Sequence, residues 1–190
     1  MRFAATKLEG VCIIESDLHT DARGYFMRVL CDRELAESGV PGRFVQASLS
    51  SNPRPGTVRG LHFQWPPSRE GKLVRCISGA VFDVIVDLRP DSGTFLQHFA
   101  VELSESNGRA VFIPPGLAHG FQVLERDARV LYHMTDYFAA TLGEGYRYDD
   151  PVFRIQWPQP VTVISDRDRD APAFDVGRYR VEYARRLGDH

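Results

Sequence analysis

Two histidines occupy sequence settings that suit proton transfer. His62 lies in the segment Gly56–Gln64 and His119 in the segment Ile113–Phe121, each among short apolar runs. An imidazole titrates near neutral pH, so either side chain could act as a general base or a metal ligand. A carboxylate on one ring nitrogen would fix the tautomer of such a base. From the residue pattern alone, Asp83 is a candidate for that carboxylate.

Short β-strands must position these side chains. Apolar runs rich in Val, Ile and Phe alternate with Gly, Pro, Asn or Asp, whereas helical periodicity is confined to 32–38 and about 176–187. The predicted strands are 11–15, 25–30, 43–50, 57–64, 72–78, 80–88, 95–103, 109–113, 120–124 and 128–137. Many short strands with peripheral helices predict an all-β sandwich or barrel.

The segment Ala80–Leu88 has an unusual face. Asp83 and Asp87 share one side of the predicted strand with Val81 and Ile85. Two acids on an otherwise apolar face indicate the interior of a cavity. An edge strand with solvated acids would give the same pattern, and that alternative stays open at this point.

Composition excludes several classes of protein. The chain has 190 residues, 43% of them hydrophobic, and its 23 basic and 25 acidic residues leave a formal charge of −2. This balance argues against nucleic-acid binding, and no segment approaches the ~20 apolar residues of a membrane span. The cysteines Cys12, Cys31 and Cys76 are too widely spaced to suggest a disulfide framework or a metal knuckle. We therefore expect a cytoplasmic protein.

The Pro-x-Gly-x-x-His pattern that ends at His119 resembles the second motif of the cupins, which are small double-stranded β-helices. Many cupins bind a metal through this histidine and a His-x-His motif with a downstream Glu. Here the first motif is His62-Phe63-Gln64, an incomplete ligand set, so we expect no metal. The isolated His19, His98 and His190 are expected at the surface.

Further motifs follow in chain order. They are Asp21-x-Arg23-Gly24-x-Phe26, Arg59-Gly60-Leu61-His62-x-Gln64, Lys72-x-Val74, Asp83-Val84-x-Val86-Asp87-x-Arg89, Ile113-Pro114-x-Gly116-x-Ala118-His119-Gly120-Phe121, Asp149-Asp150-Pro151 and Ser165-Asp166-Arg167-Asp168. Together they resemble the dTDP-4-dehydrorhamnose 3,5-epimerase family, a metal-independent branch of the cupins, over about residues 3–175. The resemblance implies an all-β jelly-roll domain at 1–175 with short peripheral helices. The residues beyond it, 176–190, are expected to form a C-terminal appendage. The resemblance also implies a homodimer without a cofactor.

The implied reaction needs three groups. Epimerisation beside a ketone requires a base for the α-proton, a cation or donor near the enolate oxygen, and an acid on the opposite face. By resemblance, His62 is the base, Lys72 the cation and Tyr132 the acid. Asp168 matches the carboxylate that orients the base.

The resemblance also assigns the binding of a nucleotide-diphosphate sugar. Arg59 matches a diphosphate ligand, for which a guanidinium is well shaped, and Phe138 the ring that stacks on the base. Strict alternation would put Arg59 and His62 on opposite faces, but Gly60 permits a bulge that re-aims them into one cavity. The remaining substrate-binding candidates are Arg23, Arg28, Gln46, Ser48, His119, Glu144 and Arg167.

The departures from the family pattern lie on the nucleotide side. Arg28 replaces a glutamate, Gln46-Ala47-Ser48 replaces Gln-x-Asn, and a glutamate expected after Phe138 falls on Gly143, with Glu144 beside it. We expect a cytoplasmic epimerase of a nucleotide-diphospho-4-keto-6-deoxy sugar such as the dTDP sugar. Three alternatives stay open: epimerisation at only C3 or C5, an epimerase or ketoisomerase for a CDP or GDP sugar, and a binding module without catalysis.

Overall fold

The computed structural model describes residues 1–188, which form thirteen strands and three helices. The strands are β1 (Arg2–Ala5), β2 (Cys12–Glu15), β3 (His19–Asp21), β4 (Gly24–Phe26), β5 (Gln46–Asn52), β6 (Val58–Gln64), β7 (Lys72–Ser78), β8 (Ala80–Asp87), β9 (His98–Ser104), β10 (Arg109–Ile113), β11 (Leu117–Val123), β12 (Ala128–Met134) and β13 (Gly143–Gly145). The helices are α1 (Asp32–Glu37), α2 (Asp166–Arg169) and α3 (Val176–Gly188).

Two antiparallel sheets face each other. One has the order β1-β2-β10-β7-β12-β5 and the other β13-β6-β11-β8-β9, while β3 and β4 form a separate hairpin. Alternate residues of both sheets fill the space between them. The cluster includes Val74, Cys76, Val111 and Val130 from the first sheet and Val81, Ile85, Leu103 and Phe121 from the second. This all-β jelly roll confirms the predicted fold class.

Strand β8 is buried on both sides. It lies between β11 and β9, and the side chains of Asp83 and Asp87 are fully inaccessible to solvent. The face lies in the interior and the edge-strand alternative is wrong, but neither Asp83 nor Asp87 lines the cavities at His62. The opposite face of β8, with Val84 and Val86, belongs to a second apolar cluster on the outer side of the sheet.

Helix α3 covers that outer cluster. Tyr179 is buried and its ring stacks on Trp65 with 4.9 Å between the centroids, while the Arg186 guanidinium lies 5.1 Å from the Trp65 ring. The segment expected to be an appendage therefore packs on the jelly roll over its described length. Residues 189 and 190, including the histidine expected at the surface, lie outside the described part of the chain.

The sequence pattern missed several short elements. Strand β13 reads Gly-Glu-Gly and α2 has four residues, too few to show a period. Strand β1 was also not predicted, and in the structure it is defined by its antiparallel pairing with β2. No helix within residues 1–188 has the length and apolarity that a membrane crossing requires.

Candidate active site

A bulge in β6 sets the direction of the site residues. The strand register pairs His62 with His119 and Arg59 with Phe121, so β6 has one more residue than β11 between these pairs. The predicted bulge at Gly60 is therefore present. Because His119 and Phe121 are two positions apart on one strand, Arg59 and His62 lie on the same face of the sheet.

Glycine is required at the centre of this bulge. Gly60 has a φ of 110°, and a Cβ built there would lie 2.6 Å from the Gly120 Cα and 2.7 Å from the His119 carbonyl oxygen. A side chain at position 60 would thus meet backbone atoms that cannot easily move. The close approach of β6 to β11 holds His62 beside His119.

His62 is paired with a carboxylate from a distant part of the chain. Its Nε2 lies 2.7 Å from Asp168 Oδ1, and the Gly60 N–H donates to Asp168 Oδ2 at 3.1 Å. Ser165 caps α2 by accepting a hydrogen bond from the Asp168 N–H. The His62 side chain keeps 41% of its surface exposed, whereas that of Asp168 keeps 6%. This pairing holds the imidazole at an open cavity and leaves it accessible to a ligand.

The Asp168 carboxylate stays ionised in this setting. Burial opposes its ionisation, but hydrogen bonds and charge from His62, together with the Gly60 N–H, outweigh burial and lower the pKa of Asp168 below its usual value. An ionised carboxylate on one nitrogen fixes the tautomer of the imidazole and stabilises its protonated form. The pair therefore suits a general base.

Asp83, the rival partner suggested by the sequence, pairs with the other histidine. His119 Nε2 lies 2.8 Å from Asp83 Oδ2, and both side chains are buried. Two imidazoles on the neighbouring strands β6 and β11 are thus each paired with a carboxylate, one pair at the cavity and one in the interior.

A cavity of about 200 Å³ lies in front of His62. Five of the candidate site residues line it: His62, Lys72, Phe138, Glu144 and Arg167. Gln64, from the same motif as His62, and Glu70, which the sequence analysis did not single out, also line it. The Lys72 ammonium nitrogen lies 3.2 Å from Glu70 Oε2, and both side chains are largely buried. The structure therefore places an imidazole base and an ammonium group around one space.

Tyr132 projects from β12, beside β7. It lies opposite Ser48 of β5 and Val74 of β7, and its ring centroid is 6.0 Å from that of His119 in an edge-on arrangement. Burial and the nearby Asp83 raise the pKa of the Tyr132 phenol well above its usual value, although Arg59 opposes this shift. The phenol therefore keeps its proton at neutral pH, as a general acid must.

Comparison with known proteins identifies the family. The model of the dTDP-4-dehydrorhamnose 3,5-epimerase family matches residues 5–175. A dTDP-4-dehydrorhamnose 3,5-epimerase of Methanothermobacter thermautotrophicus is 43% identical over 172 residues, which cover 89% of this chain and 92% of that protein. The chain belongs to the dTDP-4-dehydrorhamnose 3,5-epimerase family.

Solved structures agree with this assignment. The Legionella pneumophila dTDP-6-deoxy-D-glucose-3,5-epimerase, in complex with dTDP-4-keto-L-rhamnose, has a TM-score of 0.85 and 38% identity, covering 90% of this chain and 92% of that one. A 3'-monoepimerase from Streptomyces bikiniensis, in complex with dTDP-quinovose, has a TM-score of 0.83 and 29% identity, covering 96% and 89%. Similar structures thus include both a double and a single epimerase.

In this epimerase family member, two of the predicted substrate-binding residues lie away from the cavity in front of His62. Arg23 sits on the β3–β4 hairpin, where its Nε is 3.1 Å from Asp21 Oδ2, and its side chain is 90% exposed. Arg28, in the position where the family pattern has a glutamate, is paired with Glu34 of α1. Neither arginine lines the space in front of His62.

The remaining candidates have defined contacts. Arg59 Nε donates to Asn52 Oδ1 at 2.7 Å, and Gln46 Oε1 accepts from the Phe138 N–H at 3.1 Å. Glu144 accepts a hydrogen bond from the Trp65 indole N–H. These contacts orient side chains around the cavity and along the neighbouring edge of the jelly roll.

Sequence reasoning missed two of these partners. Glu70 holds Lys72 and Asn52 holds Arg59, but neither stood out by motif or spacing. The only indication in the sequence was that Glu70 and Asn52 each lie within a few positions of a candidate site residue, in or next to a predicted strand.

The donor set does not form a metal site. Within residues 1–188 no group of three or more His, Cys, Asp or Glu side chains is placed to hold a metal ion. The two histidines expected in a cupin metal centre each have Nε2 hydrogen-bonded to a carboxylate instead. These imidazoles are therefore arranged for proton transfer and hydrogen bonding.

Proposed function

We propose that this chain epimerises a dTDP-4-keto-6-deoxy sugar by removing a proton beside the ketone and returning one to the opposite face. The observation that carries the proposal is the His62–Asp168 pair, which stands at the same cavity as the Lys72 ammonium. The family membership fixes the class of substrate, and nothing in the comparisons favours a CDP or GDP sugar or a module without catalysis.

The side chains divide the reaction among them. His62 takes the α-proton, and Asp168 stabilises the imidazolium that forms. The Lys72 ammonium lies near the developing enolate oxygen, a role in which preorganised charge contributes several kcal/mol. Tyr132 returns a proton from the other face, since a phenol is protonated at neutral pH. No step in this scheme requires a metal or a redox cofactor.

Binding of the nucleotide part uses Arg59, on the same face of the sheet as His62, and Phe138, which lines the cavity. Arg59 binds the diphosphate, and Phe138, whose surface is 57% exposed, offers a ring for stacking on the base. The other binding residues in this proposal are Arg23, Arg28, Gln46, Ser48, His119, Glu144 and Arg167. Because Glu34 neutralises Arg28, this substitution does not by itself impose a different base, and we expect dTDP to bind more tightly than CDP or GDP in calorimetry.

Isotope exchange tests the reaction directly. Incubation of dTDP-4-keto-6-deoxyglucose with the enzyme in D₂O, followed by NMR, should show deuterium at C3 and at C5. Exchange at one carbon alone would identify a single epimerase, as in the Streptomyces relative. Absence of exchange at both carbons would overturn the proposal. Treatment with a chelator should leave the exchange rate unchanged.

We infer that the enzyme is a cytoplasmic homodimer in which the β3–β4 hairpin serves the neighbouring subunit. Arg23 does not reach the cavity of its own chain, and Tyr25 and Phe26 are exposed on the same hairpin. If Arg23 binds the nucleotide, it does so in the site of a second copy. The three cysteines are free, in keeping with a reducing compartment.

Mixed dimers test this arrangement. Arg23→Ala and His62→Ala should each have low activity, but a dimer of one chain of each kind contains one intact site. Co-expression should therefore restore activity that separate preparations lack. A mixture with no gain, or a monomer in sedimentation experiments, would contradict the shared site.

A further inference from the structure

Asp83, the carboxylate of the interior carboxylate–imidazole pair, has no role in the reaction scheme above. Asp83 is fully buried, its Oδ2 is 2.8 Å from His119 Nε2, and its Oδ1 has no hydrogen-bond partner among residues 1–188. Asp83 acts neither as the base nor as the acid. Its presence in the core therefore needs a separate explanation.

Packing does not explain this carboxylate. On the same face of β8, Val81 and Ile85 are apolar, and the paired residue on β11 is Phe121. Burying a carboxylate is unfavourable, and an apolar residue of similar volume often serves stability equally well or better. Burial raises the pKa of Asp83, with His119 and Lys72 opposing the shift, which agrees with this unfavourable setting.

The position of His119 supplies a reason. Its strand register places it opposite His62, and its ring lies 6.0 Å from the ring of Tyr132, so it stands between the proposed base and the proposed acid. Because Asp83 occupies Nε2, Nδ1 is the ring nitrogen left for a ligand. The other titratable groups that interact electrostatically with Asp83 are Lys72 and Cys76 of β7 and Tyr132 of β12.

We propose that Asp83 is a positioning residue for the epimerisation, which holds His119 by Nε2 so that Nδ1 faces the sugar between His62 and Tyr132. The carboxylate fixes both the ring orientation and the nitrogen that carries hydrogen. This inference rests on the proposed function, and it adds a residue that touches no reacting atom.

Two substitutions of Asp83 distinguish the loss of its hydrogen-bond acceptor from a change in the volume that it fills. Asp83→Asn keeps an oxygen that accepts from the His119 Nε2–H, whereas Asp83→Leu removes the acceptor and keeps the volume. We expect Asp83→Leu to lower kcat/KM by about tenfold or more, because small misplacements of a site group are costly. Asp83→Asn should stay close to wild type. Asp87→Asn is the matched control, since Asp87 is equally buried on the same strand but bonds Arg89, Ser92 and Thr94 instead of a site residue.

A double-mutant cycle decides whether the effect passes through His119. If Asp83 acts by positioning that ring, Asp83→Leu should cause no further loss when it is added to His119→Gln. A further tenfold loss in that background, or an Asp83→Asn variant as impaired as Asp83→Leu, would overturn the proposal. So would an Asp83→Leu variant with wild-type kcat/KM.

Folding and the proposed function are checked separately. Circular dichroism and the melting temperature establish that each variant is folded, and Asp83→Ala replaces Asp83→Leu if the latter does not fold. In the wild-type protein, ¹⁵N NMR of the His119 ring should show a protonated Nε2, and an unprotonated Nε2 would refute the assignment without any variant. A wild-type enzyme that exchanges no deuterium defeats the proposed function, whereas normal exchange in Asp83→Leu defeats only the role of Asp83.

Discussion

His62 Nε2 lies 2.7 Å from Asp168 Oδ1, although 106 positions separate the two residues along the chain. The two ends of this pair arrive by different routes, since the bulged strand β6 presents the imidazole and the short helix α2 presents the carboxylate. A hydrogen bond from the Gly60 N–H to the second carboxylate oxygen locks the arrangement. The proposed base therefore depends on a contact between distant parts of the sequence.

Asp168→Asn should lower kcat by about 100-fold or more, because the amide cannot stabilise the imidazolium that forms on His62. The rate of deuterium exchange under saturating substrate measures this effect. Asp166→Asn is the control, since Asp166 lies on the same helix with its side chain 86% exposed and pairs with Arg169. Equal losses in the two variants would show that the helix matters and the carboxylate does not.

Asp168 should also contribute to the pH dependence of stability. Its pKa is lower in the folded protein than in the unfolded chain, so its contribution is complete above the unfolded value and is lost as the pH falls through the folded value. At pH 7, Asp168→Asn should cost about 1.5–3 kcal/mol, as for a hydrogen bond to a charged group. In urea titrations the difference from wild type should shrink as the pH falls below about 4. A difference that stays constant down to pH 2 would contradict this assignment.

Tyr132→Phe should separate proton removal from proton return. His62 can still abstract the α-proton and put deuterium back on the same face, so exchange into the substrate should continue without formation of the epimer. NMR of the recovered sugar distinguishes these outcomes. An epimer formed at the wild-type rate would show that Tyr132 is not the acid.

Gly60→Ala should disrupt the bulge that aims His62. The positive φ alone costs about 1–3 kcal/mol for a residue with a side chain, and contact of the new Cβ with the Gly120 backbone adds to that cost. Gly24→Ala provides the comparison, because Gly24 has a φ of 122° with no atom within 4 Å of a built Cβ. Urea unfolding should show the larger loss for Gly60→Ala. Similar losses would mean that the close approach of the strands has little effect.

Tyr179→Ala should destabilise the domain, although Tyr179 lies beyond the segment that matches the family. Its ring is 2% exposed and stacks on Trp65, and removing a buried aromatic ring costs about 3–5 kcal/mol. Val181→Ala on the same helix should change stability by less than about 0.5 kcal/mol, since Val181 is 72% exposed. If both variants melt like the wild type, α3 is a dispensable appendage.

The amino-acid sequence by itself determined the class of fold and the chemistry available. The alternation in β8 put Asp83 and Asp87 on one face with apolar residues, and Gly60 permitted a bulge, because periodicity and backbone freedom are properties of neighbouring residues. Whether that face was interior or at an edge was decided only by the fold. The order of the motifs indicated the family, and with it the candidates His62, Lys72 and Tyr132.

Only the tertiary structure decided which groups meet. The residue pattern alone suggested Asp83 as the partner of His62, and the family resemblance implied Asp168, whereas the folded chain pairs Asp168 with His62 and Asp83 with His119. It also brought Glu70 to Lys72 and left Arg23 away from the cavity of its own chain. Hydrogen bonds and charge interactions act over a few ångströms in space, and a sequence does not state distances between residues that lie far apart along it.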